Sequence, residues 1–356
     1  MRHVLSSVLG LTLLACGGAD HEGPTTPIPS NGEGAALYAQ YCALCHGGEG
    51  EGYAADNATR LRGQGFLTTA SDDFLGMAIA RGRPHTAMGG YSDHYGGPLD
   101  DAQIDALVGF LRGWQTEPRV ALSDAPIEGD PEAGARLFEA RCASCHGQLG
   151  NGGSAQSLNR WTFLSRASDA FLRHAIVEGR AETPMPGFGE ELEPQAIDDI
   201  VSFLRRFEEE HDVVPRYMAP PSLADMTVVR HPDGPSPAFT LREERFVSAA
   251  QVRDAVAANS RLVILDARPT SDWLIERLPG ALPVPYYAIQ PIIERLPRDG
   301  TWIVAYCGCP HAASGEVVDA LREAGFEHTA VLDEGVYHWI DEGYPTESGA
   351  LDPAAE

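Results

Sequence analysis

A chain of 356 residues exceeds one ordinary core and points to two or three domains, while 38 Gly and 26 Pro point to loop-rich units joined by extended linkers rather than to disorder throughout. The formal charge is −25, and all 26 basic residues are Arg. That balance argues against nucleic acid and anionic lipid as direct ligands and suits solubility, or docking to basic partners.

Met1-Arg2-His3 and the apolar run over residues 4–15 read as a secretory signal: one positive charge, then a stretch too short to span a bilayer permanently. The run ends in Leu13-Leu14-Ala15-Cys16, which resembles the bacterial lipobox. The resemblance implies a lipidated Cys16 as the first mature residue, after a signal peptide over 1–16; the alternative is an ordinary signal with a buried or free cysteine. Residues 17–32, with Gly17, Gly18, Pro24, Pro27 and Pro29, then form a flexible tether. The expected location is the bacterial periplasm or cell envelope, lipid-anchored to a membrane.

Two stretches then repeat. Cys42-Ala43-Leu44-Cys45-His46 stands 100 residues before Cys142-Ala143-Ser144-Cys145-His146, and Gly34, Leu37 and Tyr38 keep that offset to Gly134, Leu137 and Phe138. Further on, 71–75 matches 168–172 and Met88 matches Met185. Ile104, Leu107, Val108 and Leu111 match Ile197, Ile200, Val201 and Leu204, both sets at helical i, i+3, i+4, i+7 spacing. Each unit reads as helix, Cys-His motif, long loop, short helix, Met-bearing loop and C-terminal helix.

The motif's spacing has a chemical reason. Two Cys three apart lie within one helical turn, so both thiols can add to the vinyl groups on one edge of a porphyrin, and the following His lands under the iron. A zinc or redox C-x-x-C followed by a chance His is the alternative, and the full five-residue pattern is expected only about 0.005 times in a chain of this composition.

Residues 33–115 and 131–207, with a linker over 116–130, each resemble class I cytochrome c domains. The resemblance implies two covalently bound haem c, with thioethers from Cys42, Cys45, Cys142 and Cys145 and axial ligands His46 and His146. Met88 and Met185 stand where the family's sixth ligand stands; Met88 as a packing residue, with His85 or His94 ligating instead, stays open. It also implies that Gly34 and Tyr38 cross Leu111 and Trp114, and that Gly134 and Phe138 cross Leu204 and Phe207.

Residues 208–244 form a charged, proline-rich linker, after which the composition turns α/β. The apolar runs 262–265 and 302–306 and the amphipathic stretch 314–325 predict short buried strands alternating with helices around a parallel sheet, with reactive groups at the strands' C-terminal ends. The fold class is thus multidomain: two all-α domains followed by an α/β domain. Asp266-Ala267-Arg268, the turn Leu278-Pro279-Gly280-Ala281, Cys307 at a strand end before a helix, and Trp339 to Pro345 as W-x-x-x-G-Y-P resemble the rhodanese family over 245–347, leaving a tail at 348–356.

That resemblance makes Cys307 the persulfide-carrying position. A helix N-terminus and converging backbone N–H groups suit an anionic sulfur there. The family's usual arginine five residues on is Ala312. Cys309 either resolves or accepts sulfur, or is a small structural residue, or oxidises together with Cys307 in the periplasm, and a metal site from Cys307, Cys309 and His311 lacks a fourth ligand at useful spacing. Three functions stay open: an electron carrier serving redox partner proteins, an enzyme oxidising or transferring small sulfur species at Cys307 with the haems as acceptors, and a carrier whose rhodanese-like unit only docks.

Overall fold

The computed structural model describes residues 32–55, 58–83, 85–123, 125–208, 217–308 and 311–350. The lipobox Cys16, nearly all of the tether, and Cys309 lie outside these residues. Among the described residues no helix is long and apolar enough to cross a membrane.

The first helical domain contains α1 (Gly32–Tyr41), α2 (Ala43–His46), α3 (Gln64–Leu67), α4 (Asp72–Arg81) and α5 (Asp101–Arg112). The second repeats them as α6 (Pro131–Arg141), α7 (Ala143–His146), α8 (Trp161–Leu164), α9 (Asp169–Glu178) and α10 (Pro194–Arg205). The local signals repeat too. Ser71 caps α4 by accepting from the Phe74 N–H, and Ser168 caps α9 from Phe171, so each hydroxyl satisfies a donor the helix cannot. The single-turn helices α3 and α8, which the periodicity does not announce, precede those caps.

In each domain the first helix crosses the last. The crossing lies earlier along the last helix than expected: a Cβ on Gly34 would collide with the Ala106 carbonyl and the Phe110 side chain, and one on Gly134 with the Asp199 carbonyl. Tyr38 packs on Phe110 as well as edge-on to Trp114, with ring centroids 5.2 and 5.1 Å away. Phe138 meets Phe203 at 5.2 Å, and Phe207 touches Phe203 in turn. The glycine needs backbone opposite it, and Ala106 and Asp199 offer that one turn before the aromatics.

The two helical domains share one continuous apolar core. Their contact is reciprocal. Arg83 donates to the Thr162 carbonyl at 3.2 Å and its counterpart Arg180 to the Gly65 carbonyl at 3.0 Å, with Phe74 between Phe163 and Phe171. The 116–130 segment lies along this body: Arg119 pairs with Asp72 at 2.6 Å and the Ile127 N–H reaches Asp169.

The α/β domain runs β1 (Phe246–Val247), α11 (Ala249–Ala257), β2 (Leu262–Asp266), α12 (Thr270–Ile275), β3 (Leu282–Pro283), α13 (Gln290–Ile293), β4 (Trp302–Tyr306), α14 (Ala312–Glu323), β5 (Thr329–Leu332) and α15 (Gly335–Asp341). The five strands are parallel, in the order β1-β5-β4-β2-β3. Alternate residues of β2 and β4 enter separate cores: Val263, Leu265, Ile303 and Ala305 on one face, Leu262, Ile264, Val304 and Tyr306 on the other. Both faces are covered, which is why these strands read as unbroken apolar runs.

The segment read as linker is, over its described part, largely the domain's own cladding. Leu223, Met226, Val228 and Val229 pack on one core, Phe239 and Leu241 on the other, and Arg230 bridges antiparallel to Leu262. Proline-rich chain cannot make helix, yet extended chain can still cover apolar surface. The start of the tail is fastened as well, the Gly349 N–H donating to the Leu274 carbonyl at 2.7 Å.

Candidate functional site

The two Cys-His motifs are built alike. Cys42 and Cys142 end α1 and α6, and the next turn, α2 or α7, carries the second Cys and the His. His46 Nδ1 lies 2.8 Å from the Thr59 carbonyl, and His146 Nδ1 lies 2.8 Å from the Gln156 carbonyl. A carbonyl can only accept, so Nδ1 carries the proton and Nε2 keeps its lone pair for a metal. Burial lowers both imidazole pKa values, which favours this neutral form. Burial and then the neighbouring Cys push Cys42 up to about 12 and Cys142 up to about 11, so these sulfurs stand as neutral thiols.

The methionine loops also share one design. The Arg83 N–H donates to the Met88 carbonyl at 2.7 Å, Thr86 Oγ1 donates to the Arg83 carbonyl at 2.6 Å and accepts from the Met88 N–H at 3.2 Å. Arg180, Thr183 and Met185 repeat all three bonds, at 3.0, 2.7 and 3.2 Å. Gly82 (φ 64°) and Gly179 (φ 70°) start these loops, and a Cβ on either would strike the methionine carbonyl. The histidines near Met88 go elsewhere: His85 faces the α/β domain, and His94 sits at the surface 3.5 Å from Asp101.

Sequence reasoning missed Arg83 and Arg180. Burial lowers both guanidinium pKa values to about 10, their rings of contact are aromatic, and among the described residues no carboxylate offsets either charge. Two buried cations satisfied by carbonyls and aromatic faces, in domains that each also carry paired thiols and a His with its lone pair kept for metal, fit an anionic, iron-bearing porphyrin in each domain. The repeat of Gly-Arg-x-x-Thr-x-Met was the signal that could have found them.

Cys307 follows β4, 2% exposed, with its Sγ 3.3 Å from the Oγ of the fully buried Ser314 on α14 and its carbonyl accepting from the Val336 N–H. Ser314 was not picked out from the sequence as a site residue. His311, held at φ 79°, turns away: Nε2 meets the Asp333 carbonyl and carboxylate at 2.9 and 3.0 Å, and the ring stacks on Phe246. Among the described residues no three metal-ligating side chains cluster. Behind the site, Asp266 and Arg268 form a buried bidentate pair at 2.9 and 2.6 Å, and Tyr306 donates to Asp266 at 2.7 Å.

Comparison with known proteins fits this division. The family of cytochrome c oxidase, cbb3-type, subunit III matches residues 29–111 and 129–204, and the rhodanese-like domain family matches 248–342. The chain is 28% identical to the cbb3-type cytochrome c oxidase subunit FixP of Azorhizobium caulinodans, over 48% of this chain and 58% of that one. It is 35% identical to a cytochrome c-553-like protein of Synechocystis, over 22% of this chain and 70% of that one. It is 26% identical to the cytochrome bc1 complex cytochrome c subunit of Mycobacterium tuberculosis, over 48% of this chain and 61% of that one. The chain thus spans about three fifths of the length of the two respiratory subunits.

Proposed function

We propose, for a chain that belongs to the cytochrome c family and holds two such domains ahead of a rhodanese-like one, that it carries single electrons outside the cytoplasm between redox partner proteins. His46 with Met88 and His146 with Met185 would hold the iron, and Cys42, Cys45, Cys142 and Cys145 would carry the thioether attachments. When bound, the two haem c groups supply the one-electron redox chemistry. The protein's own residues orient the imidazoles through Thr59 and Gln156, place the methionines through the Arg-Thr loops, and bring buried positive charge through Arg83 and Arg180.

The observation that carries this reading is the duplication of the methionine loop, hydrogen bond for hydrogen bond. In the second copy Glu182 and Glu191 stand where the first has His85 and His94, which favours Met88 over either histidine in the first. Thioether ligation raises the potential relative to two histidines and suits a moderately high-potential carrier. The FixP and bc1 relatives are named for respiratory complexes, which supports a place outside the cytoplasm. Lipidation at Cys16 would hold the protein to a membrane there.

A second reading rests on Ser314. Its buried hydroxyl beside Cys307 Sγ can stabilise a sulfur anion, so the rhodanese-like domain is proposed to hold sulfane sulfur on Cys307, with Cys309 as a further thiol. Ala312 supplies no guanidinium to pair with the thiosulfate dianion, which turns the reading toward other small sulfur species. Haem staining of the denatured protein, with quantitation per chain, tests the first reading: two covalent haems are expected, and fewer than two would overturn it. Mass spectrometry of Cys307 after exposure to polysulfide tests the second, and a domain that takes up no sulfur is a docking module.

A further inference from the structure

The rhodanese-like domain does not hang free of the cytochromes. Leu44, between the two cysteines of the first motif, packs into the same apolar cluster that contains Cys307, and α14 touches α2. The Met88 loop also meets the domain, through residues 85, 86, 87, 89 and 90. The Tyr337 hydroxyl donates to the Thr86 carbonyl, Ser271 Oγ donates to the Gly90 carbonyl, and a Cβ on Gly89 would run into Asp272. A Cβ on Gly308, the residue after Cys307, would lie 3.3 Å from the Ala87 Cα, with the Tyr337 ring beside it. Tyr286 and Tyr287 seal the edge against Tyr41 and Tyr91; Tyr286 donates to the Tyr41 carbonyl at 2.7 Å and Tyr287 packs edge-on to Tyr41 at 4.8 Å.

Cys307 is therefore one residue from the contact, and Met88 is one residue from it on the opposite wall. A small pocket opens on the same seam, lined by His85 from the first domain and Arg268, Asp272, Glu276 and Tyr337 from the other. Asp272 Oδ2 is buried there without a hydrogen-bond partner among the described residues. A buried acceptor left open beside a guanidinium marks room for a small polar guest. The second cytochrome domain reaches its neighbour through Arg83 and Arg180, on a separate surface.

We infer that Cys307 and the Met88 loop wall form one composite site for hydrosulfide oxidation, in which electrons from sulfur enter the first cytochrome domain across the Gly308–Ala87 contact. The inference rests on the sulfur-holding reading of Cys307. Hydrosulfide and the Cys307 thiolate form a new S–S bond, leaving Cys307 as a persulfide anion and releasing one proton to solvent and two electrons. The oxidant would be ferric haem c, held by Cys42, Cys45 and His46 in the first domain and by Cys142, Cys145 and His146 in the second, each group accepting one electron. One sulfur bound thus corresponds to two haems reduced, a stoichiometry that a single cytochrome domain could not meet in one turnover.

The test uses the full-length, haem-loaded, oxidised protein with Cys309→Ser, so that one thiol remains in the loop, and anaerobic sodium sulfide as the probe. The expected result is reduction of both haems together with one sulfur added by mass to the peptide carrying Cys307. Cys307→Ser then loses both the mass gain and the fast reduction. Gly308→Val, whose side chain meets the Tyr337 ring first and then Ala87, still gains sulfur on Cys307 from polysulfide but loses fast reduction by sulfide, while ascorbate still reduces both haems, which shows that the haem domains are intact. Equal reduction by sulfide in Cys307→Ser, reduction without sulfur on Cys307, or unimpaired transfer in Gly308→Val would each overturn the composite site. In those cases reduction by ascorbate still stands for the carrier reading, so the two fail separately.

Discussion

Replacing Gly134 with Ala tests whether the helix crossing supports the second iron site. A Cβ at that position would fall well inside contact distance of the Asp199 carbonyl oxygen and 3.0 Å from the Ile200 nitrogen, both backbone atoms of α10. The helix cannot yield locally, because the Asp199 carboxylate is itself held by the Asp130 N–H at 2.8 Å and by Gln195 at 3.1 Å. So α6 and α10 must separate, loosening Phe138 against Phe203 and the buried Ile197, Ile200 and Leu204. Overpacking a core costs about 1–3 kcal/mol, and a clash with backbone belongs to the upper part of that range. Alanine returns up to ~1 kcal/mol of helix propensity, for a net loss of about 2 kcal/mol. Because the two helical domains share one core, the larger body sets the scale, and that corresponds to a fall of roughly 4–8 °C in Tm. Thermal unfolding followed by loss of the methionine-to-ferric-iron absorption band should show the transition of the shared helical body moving down. An unchanged or raised Tm would refute the close crossing and leave only the propensity gain.

Met185→Leu and Met88→Leu should each lower one of two midpoint potentials in a redox titration and remove about half of the methionine-to-iron band, because a thioether favours the ferrous form; a Met88→Leu protein with both features intact would hand the ligand role to His85 or His94. Arg268→Leu strands Asp266, which is fully buried, and should destabilise the α/β domain by about 3–5 kcal/mol in denaturant melts while leaving covalent haem content unchanged. Asp272 is pushed up to about 7, first by burial, with Arg268 opposing, so its folded pKa lies above its unfolded value. The folded state then holds the extra proton, and the stabilisation present below about pH 4 is lost as pH rises toward 7, at a slope of up to ~1.4 kcal/mol per pH unit. Melts of wild type and Asp272→Asn across that window should diverge in slope, and parallel curves would refute the assignment.

Much of this protein is legible in one dimension because its chemistry is local. The interval between two cysteines and a histidine is set by one helical turn, so C-x-x-C-H announces its cofactor wherever it folds. The repeat, the serine caps of α4 and α9, and the buried strands β2 and β4 are likewise short-range patterns. The site residues around Cys307 were legible only in part. Ser314 looks like an ordinary helix residue until α14 is seen to start beside the sulfur.

What the tertiary structure decided is everything made between distant segments. Residues 223–241 look like a linker by composition, yet their apolar side chains close both faces of the sheet. Arg83 and Arg180 acquire meaning only when two domains face each other and bury them. Above all, the seating of Cys307 against the Met88 loop depends on Gly308 meeting Ala87 and Tyr337 meeting Thr86, partners more than 200 residues apart. Spacing along the chain carries covalent and helical geometry over a few residues, whereas the packing of one domain on another is set by shape and burial, which no local pattern encodes.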